Sequence, residues 1–128
     1  MPLMAEPPPP LSVNLPGLSF EPGRMVQADV WNLLQRPISW PDVGPGSFVM
    51  VVSFGRCKFR LCPESVACIL QGIIGGSAPH FKVSSLGDRT FKFFVFSKPV
   101  GFFVLNLRSF YCDKFSLFFH LWGNGGPN

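Results

Sequence analysis

The chain has 128 residues, enough for one domain with a sizeable core, and no uncharged apolar run reaches the roughly 18 residues of a membrane span. Residues 1–46 carry a net charge of −2, whereas residues 47–128 carry +6. A basic domain favours an anionic partner, such as nucleic acid or an acidic protein or membrane surface. The alternative is that modest charge only keeps a very apolar domain soluble.

The chain has four cysteines, Cys57, Cys62, Cys68 and Cys112. Its N-terminus lacks the apolar core of a secretory signal. We therefore expect free thiols in a reducing, intracellular compartment, the nucleus or the cytoplasm. Their spacing matches no common zinc pattern, and the sequence shows no Ser/His/Asp pattern, carboxylate pair or phosphate-binding glycine loop. The sequence thus predicts a protein that is not an enzyme and has no metal and no cofactor.

Residues 1–46 hold ten of the fourteen prolines and are predicted to form a largely disordered arm. The apolar spacing within residues 25–35 allows one or two helical turns. Trp31, Ile38 and Trp40 are large apolar side chains, which suggests that part of this arm packs back on the domain.

After the arm, residues 48–61 are predicted to form a strand, in which Gly55 marks either a bulge or the junction with an N-terminal extension. A helix follows, because Pro63 suits the first helical position and apolar residues recur at helical spacing. The pair Gly75-Gly76 is expected to end this helix, since glycine adopts the left-handed closing conformation easily.

A second strand is predicted over residues 81–86 and a third over residues 89–97. Gly87 is expected to supply the positive φ of a tight hairpin turn between them. Ser97 is the predicted cap of a second helix, which runs to about Ser109.

The last predicted strand spans residues 113–122, and a glycine-rich tail follows at residues 123–128. The element order β-α-β-β-α-β is typical of the ferredoxin-like, split βαβ fold. Right-handed crossovers place both helices on one face of a four-stranded antiparallel sheet and leave the other face open. We predict this α+β fold for residues 47–122.

The open face of the predicted sheet carries basic side chains interleaved with aromatic rings. Lysine is very rarely buried, so Lys92 should point outward, with Phe91 and Phe93 toward the helices. The alternation along the first strand turns its basic residues outward as well. The predicted interface comprises Arg56, Lys58, Arg60, Lys82, Lys92, Phe94, Phe96, Phe118 and His120.

This mixture of side chains favours binding of single-stranded nucleic acid, in which cations contact phosphates and bases stack on rings. The alternative is that the face is covered, because a monomer rarely leaves a large apolar patch bare. The N-terminal arm could cover it through Trp31 and Trp40, and so could a second copy of the chain or another protein.

Several stretches together resemble one family: WPDVGPGSF, VSFGRCKFRL, PESVACILQGIIGGS, DRTFKFFVFSKPVGFFVLNLRSF and FHLWGNGGPN, over roughly residues 40–128. They are similar to the N-terminal domain of plant proteins, abundant in grasses, that resemble products of LINE-type retroelements. That domain usually precedes a CCHC zinc knuckle, and the resemblance implies association with nucleic acid. The sequence departs from this pattern because it contains no CCHC spacing, so we expect part of the nucleic-acid contact to be missing.

The sequence therefore predicts a non-enzymatic, retroelement-derived domain that binds single-stranded RNA or DNA weakly through its open face. A protein-interaction or self-association module that uses the same face is the second hypothesis. Steep salt dependence would indicate the first, because counterion release drives binding to phosphates.

Overall fold

The structure is a computed structural model in which residues 15, 17–42 and 44–122 are described. Within these residues it is an α+β fold with three α-helices and a five-stranded antiparallel sheet. The helices are α1 (Glu21–Leu34), α2 (Pro63–Ile74) and α3 (Lys98–Leu107), and a short 3-10 helix covers Ala78–Phe81. The strands are β1 (Phe48–Cys57), β2 (Ser84–Gly87), β3 (Thr90–Val95), β4 (Ser109–Tyr111) and β5 (Phe115–Leu121), in the sheet order β2-β3-β1-β5-β4.

The α+β class and the antiparallel sheet confirm the prediction, but the predicted number of four strands is wrong. The additional strand is β4, which pairs with β5 at one edge of the sheet. The predicted helix ran to Ser109, whereas Arg108 adopts a positive φ of 66° and α3 ends at Leu107. The chain then turns directly into β4, which has only three residues and is too short for a strand alternation to be recognised.

The boundaries of α2 and α3 follow the local signals in the sequence. Pro63 begins α2, and Gly75, with a φ of 86°, ends it. Ser97 is the N-cap residue of α3, as predicted, but its hydroxyl makes no capping hydrogen bond. The Ser97 hydroxyl is buried and has no hydrogen-bond partner among the described residues.

One face of the sheet packs against α2 and α3 and forms the core. Phe91 and Phe93 point into this core. This confirms the prediction, which placed Lys92 on the opposite face of the strand. Aromatic rings meet edge to face across this core, with centroid distances of 5.9 Å for Phe81–Phe93 and 6.2 Å for Phe93–Phe119. The helices contribute Val66, Ile69, Leu70, Ile73, Val100 and Val104.

The N-terminal segment is part of the same domain. Val30 of α1 and Ile38 in the following segment are fully buried in the core. The prediction that the N-terminal segment packs on the domain is therefore confirmed for Ile38. The predicted boundary at residue 46, between a disordered arm and the domain, therefore does not hold for residues 17–42. Residues 1–14 of the predicted arm and the predicted tail, residues 123–128, lie outside the described residues.

Glycines allow α1 to approach α2 closely. A Cβ atom on Gly23 would meet the carbonyl oxygen of Gln71 and would lie 2.7 Å from the backbone nitrogen of Gly75. On the other helix, a Cβ atom on Gly72 would lie 2.9 Å from the carbonyl oxygen of Ser19. The two backbones thus touch where neither helix has a side chain.

β2 and β3 form the predicted hairpin, although its turn differs from the prediction. Gly87 pairs with Thr90, so the turn residues are Asp88 and Arg89, and the positive φ of 63° belongs to Arg89. The Arg89 guanidinium compensates by donating hydrogen bonds to the carbonyl oxygens of Phe54, at 3.1 Å, and Gly55.

Gly55 lies in a β-bulge of β1, which confirms one of its two predicted roles. Phe54 pairs with Leu117 and Cys57 with Phe115, so two residues of β1 oppose a single residue of β5. The bulge reverses the alternation of side chains near the end of β1, so that both Phe54 and Cys57 lie on the core side of the sheet.

Candidate nucleic-acid interface

The face of the sheet opposite the core carries side chains from β1, β3, β4 and β5. In its central row, Lys92 of β3 and His120 of β5 stand on either side of Val51 of β1. Val51 is only 2% exposed although it does not belong to the hydrophobic core. The flanking side chains therefore cover it, and the face is a packed surface rather than bare sheet.

Lys92 occupies the most distinctive position on this face. Its Nζ lies 5.9 Å from the centroid of the Phe94 ring and 5.2 Å from that of the Trp122 ring. Both distances are within the range of cation–π attraction. Phe94 is half-buried, whereas Trp122 is 40% exposed. The ammonium group thus lies within cation–π distance of two rings at the surface.

His120 is exposed and hydrogen-bonded to a neighbouring strand. The distance between its Nε2 and the Ser53 Oγ is 2.8 Å, and the tautomer decides which atom donates. This contact orients the imidazole ring, which lies across β1 from Lys92.

Phe118 and Tyr111 form the aromatic part of the face nearest β4. Their ring centroids are 5.8 Å apart and the rings are perpendicular. Tyr111 is 62% exposed, so its ring and hydroxyl reach solvent. These rings extend the aromatic surface across β5 toward the edge of the sheet.

Phe96 lies just beyond the end of β3 and is partly covered by the N-terminal segment. Its backbone N–H donates to the carbonyl oxygen of Ile38, and its ring packs edge to face with that of Trp40, at 5.9 Å between centroids. Coverage by the arm, one of the alternatives from the sequence, therefore occurs at this end of the face. Trp40 itself remains exposed and adds a ring to its border.

Arg56 is exposed, but its guanidinium is already engaged. Nη1 donates to the carbonyl oxygen of Asp113 at 2.8 Å, and Nη2 to that of Cys112 at 2.7 Å. These bonds tie the bulge of β1 to the turn between β4 and β5. Arg56 thus has a structural role that the sequence did not indicate.

The structure does not place Lys58, Arg60 or Lys82 on the sheet. β1 ends at Cys57, so Lys58 and Arg60 lie in the connection to α2, where both are exposed. Lys82 follows the 3-10 helix with a φ of 51° and precedes β2. The prediction that these three residues line the face is wrong, because both strands are shorter than their apolar alternation indicated.

Of the nine predicted residues, the face thus brings together Lys92, Phe94, Phe118 and His120, with Phe96 at its border. Tyr111 and Trp40 also belong to the surface and were not among the predicted interface residues. Tyr111 was missed because β4 was not predicted, and Trp40 was considered only as a cover. Trp122 continues the alternation of Phe118 and His120 in β5. Its place on this face could therefore be predicted from the sequence.

No protein-family model, curated protein or solved structure matches this chain. Among the described residues, no helix is long and apolar enough to cross a membrane. The same residues contain no group of three or more His, Cys, Asp or Glu side chains arranged to hold a metal ion. The resemblance to retroelement-derived plant proteins stays a prediction.

Proposed function

We propose that this chain is a non-enzymatic domain that binds single-stranded nucleic acid weakly on the open face of its sheet. The observation that carries the proposal is Lys92, whose ammonium group lies within about 6 Å of the ring centroids of both Phe94, at 5.9 Å, and Trp122, at 5.2 Å. A phosphate can pair with the cation while neighbouring bases stack on the rings. An intracellular setting and a retroelement origin are parts of the same proposal.

We also propose that β1, α2, β2, β3, α3 and β5 form a ferredoxin-like unit to which α1 and β4 are additions. The order β2-β3-β1-β5 and the antiparallel pairing of these strands support it. An open sheet face bearing aromatic residues is one surface on which such a unit can bind a single strand.

The composition of the face determines how strong the binding should be. Stacking contributes about 1–3 kcal/mol per base, so Phe94 and Trp122 together contribute about 2–6 kcal/mol and support a weak affinity, on the order of millimolar. Lys92 is the single lysine or arginine that the register places on the strands of the described face. Each phosphate contact with a single strand contributes a slope of about −0.7 to log K against log salt. We therefore expect a shallow salt dependence, in contrast to the steep one that the sequence predicted.

The test is binding of a labelled single-stranded RNA, and of DNA with the same sequence, at low and physiological salt. Trp122→Ala removes an exposed ring and should weaken binding by about tenfold. Lys92→Gln should weaken it and flatten the salt dependence. Lys58→Gln is the matched control, because Lys58 is an exposed lysine away from the face. The affinity of this variant for the strand should stay within about twofold of that of the wild type. A folded wild-type chain that binds neither strand at low salt would contradict the proposal.

Self-association through the same face is a second candidate function. It is favoured by three large exposed apolar side chains on that side, Tyr111, Phe118 and Trp122. Sedimentation velocity over a range of concentrations distinguishes the two functions. A dimer that Tyr111→Ser and Phe118→Ser disrupt, with little effect of salt, would favour this second candidate.

A further inference from the structure

A groove outside the sheet has the side chains of a ligand site. It lies between α1, residues 36–39 and the turn that follows α2, and its volume is about 530 Å³. This volume is within the range of small-molecule sites, about 300–1,000 Å³. The groove shares no residue with the open face of the sheet.

One wall of the groove is a single face of α1. Arg24, Gln27, Ala28 and Trp31 line it, and their spacing of i, i+3, i+4 and i+7 puts them on one side of the helix. Arg24 and Trp31 are separated by seven residues, or about 10 Å along the helix axis. Trp31 is 53% exposed, so an indole surface and a cation are presented along one line.

The opposite wall adds a second cation and an imidazole. Arg36 and His80 both line the groove. The Nη1 of Arg36 donates to the carbonyl oxygens of Leu34 and Gln35, at 3.4 and 3.2 Å, which are long contacts. The Nδ1 of His80 lies 3.4 Å from the Oγ of buried Ser39. None of the eleven lining residues is acidic. Arg24 contacts Glu21 at 2.9 Å, but both side chains are about two-thirds exposed, and such a surface ion pair is weak. The groove is therefore suited to an anion.

The floor of the groove is fixed by hydrogen bonds between its walls. The backbone N–H of Gly76 donates to the Oε1 of Gln27 at 2.8 Å, and that of Ser77 donates to the Oγ of Ser39 at 3.0 Å. These bonds join α1 and the segment after it to the end of α2. The shape of the groove is thus set before any ligand arrives, which lowers the ordering cost of binding.

We propose that this groove binds a nucleoside monophosphate, with the base on the indole of Trp31 and the phosphate among Arg24, Arg36 and His80. An exposed indole binds a planar base by stacking, and guanidinium groups form the strongest hydrogen bonds to phosphate. A simple anion would make no stacking contact with Trp31, and an uncharged aromatic molecule would form no ion pair with the arginines. The nucleotide is either free or the 5′ end of a strand, and the recognition chemistry is the same.

The experiment is calorimetric titration of the full chain with AMP, adenosine and inorganic phosphate. AMP should bind, and adenosine and phosphate should each bind at least about tenfold more weakly. Trp31→Ala and Arg36→Gln should each lower the AMP affinity by about tenfold. Both side chains are exposed, so the substitutions leave the core intact.

The matched controls are Trp40→Ala and Arg60→Gln. Trp40 is also 53% exposed, and Arg60 is an exposed arginine in another loop. The proposal is overturned if AMP does not bind, if phosphate alone binds as tightly as AMP, or if the groove variants behave like these controls. Trp122→Ala should leave AMP binding unchanged, which separates this site from the open face.

Competition between AMP and a short single strand distinguishes the two sources of the ligand. If a 5′-phosphorylated strand displaces AMP and the same strand with a 5′-hydroxyl does not, the natural ligand is the 5′ end of a strand. AMP binding that neither strand displaces supports the free nucleotide. AMP displaced equally by both strands would overturn recognition of a terminal phosphate.

Discussion

Arg89 illustrates how one side chain can stabilise two irregular backbone segments. Its left-handed φ of 63° is unfavourable for a residue with a Cβ atom, yet its guanidinium donates to the two carbonyl groups at the bulge of β1. The turn of one hairpin therefore stabilises the bulge of the neighbouring strand.

Removing the Arg89 side chain should therefore destabilise the fold. We expect Arg89→Ala to lower the free energy of unfolding by about 1–2 kcal/mol, because the hydrogen bonds are charge-assisted but partly exposed. Arg89→Gly loses the same bonds but relieves the φ strain, so it should cost less. Urea denaturation followed by circular dichroism gives both values. Lys58→Ala, which removes another exposed cation, is the control, and a loss of equal size there would contradict this explanation.

Two cysteines predict a dependence of stability on alkaline pH. Burial raises the pKa of the Cys57 thiol above its ordinary value of 9.0, although the nearby Arg89 charge acts in the opposite direction. Burial likewise raises the pKa of Cys68. In the unfolded chain both thiols ionise near their ordinary pKa, while the folded chain still holds the protons. Stability is thus fully present below about pH 9 and is lost as the pH rises through the raised pKa values.

The measurement is urea denaturation at about pH 7 and about pH 10, on either side of the ordinary thiol pKa. We expect a lower free energy of unfolding at the higher pH. The double variant Cys57→Ala/Cys68→Ala should lose less stability between the two pH values, whatever its stability at neutral pH. An equal loss in the variant and the wild type would show that other groups cause the effect.

At the scale of secondary structure, the contact between α1 and α2 depends on glycine. Replacing a helical glycine with alanine ordinarily stabilises a helix by about 0.5–1 kcal/mol. At Gly23 the new Cβ atom would meet backbone atoms of α2, including the nitrogen of Gly75 at 2.7 Å. Because backbone cannot rotate away as a side chain can, the two helices would have to separate.

We therefore expect Gly23→Ala to destabilise the domain by about 1–3 kcal/mol, the usual cost of overpacking. Thermal unfolding followed by circular dichroism would show a lower Tm. Gly87→Ala is the matched control, because a Cβ atom there meets nothing within 4 Å. A Tm for Gly23→Ala equal to or above that of the wild type would mean that the close approach is not needed.

At the scale of the whole molecule, the N-terminal segment completes the core. Val30 and Ile38 are fully buried, so the predicted domain of residues 47–122 alone would expose the surface that they cover. We expect that fragment to lose the cooperative unfolding transition of the full chain. A fragment with a sharp transition and a native-like circular dichroism spectrum would contradict this expectation.

A single substitution tests the same point with less disturbance. Ile38→Ala should lower the free energy of unfolding by about 2–5 kcal/mol, since it leaves a cavity in the core. Leu33→Ala is the control, because Leu33 lies nearby in the sequence but is 69% exposed. Denaturant titration of the two variants should separate them clearly, and equal losses would mean that Ile38 contributes no more to the core than an exposed side chain does.

The sequence by itself determined the elements whose signal is local. The alternation around Lys92 predicted which side of β3 is buried, Pro63 and Gly75 predicted the ends of α2, and Gly55 indicated the bulge. Each of these predictions depends on a few neighbouring residues, for which periodicity and backbone preference are sufficient.

Only the tertiary structure decided where the basic residues and the short elements lie. The sequence indicated only one or two helical turns within residues 25–35, whereas α1 spans Glu21–Leu34 and gains its stability from packing on α2. The strand β4 forms because β5 offers an edge with which to pair. Lys58 left the predicted interface because β1 ends at Cys57, opposite the first residue of β5. Lys82 left it because it ends the 3-10 helix, and β2 begins only at Ser84. Arg56 is held by carbonyl groups that are distant in the chain. Such outcomes depend on contacts between residues far apart in the chain, which a local pattern does not encode.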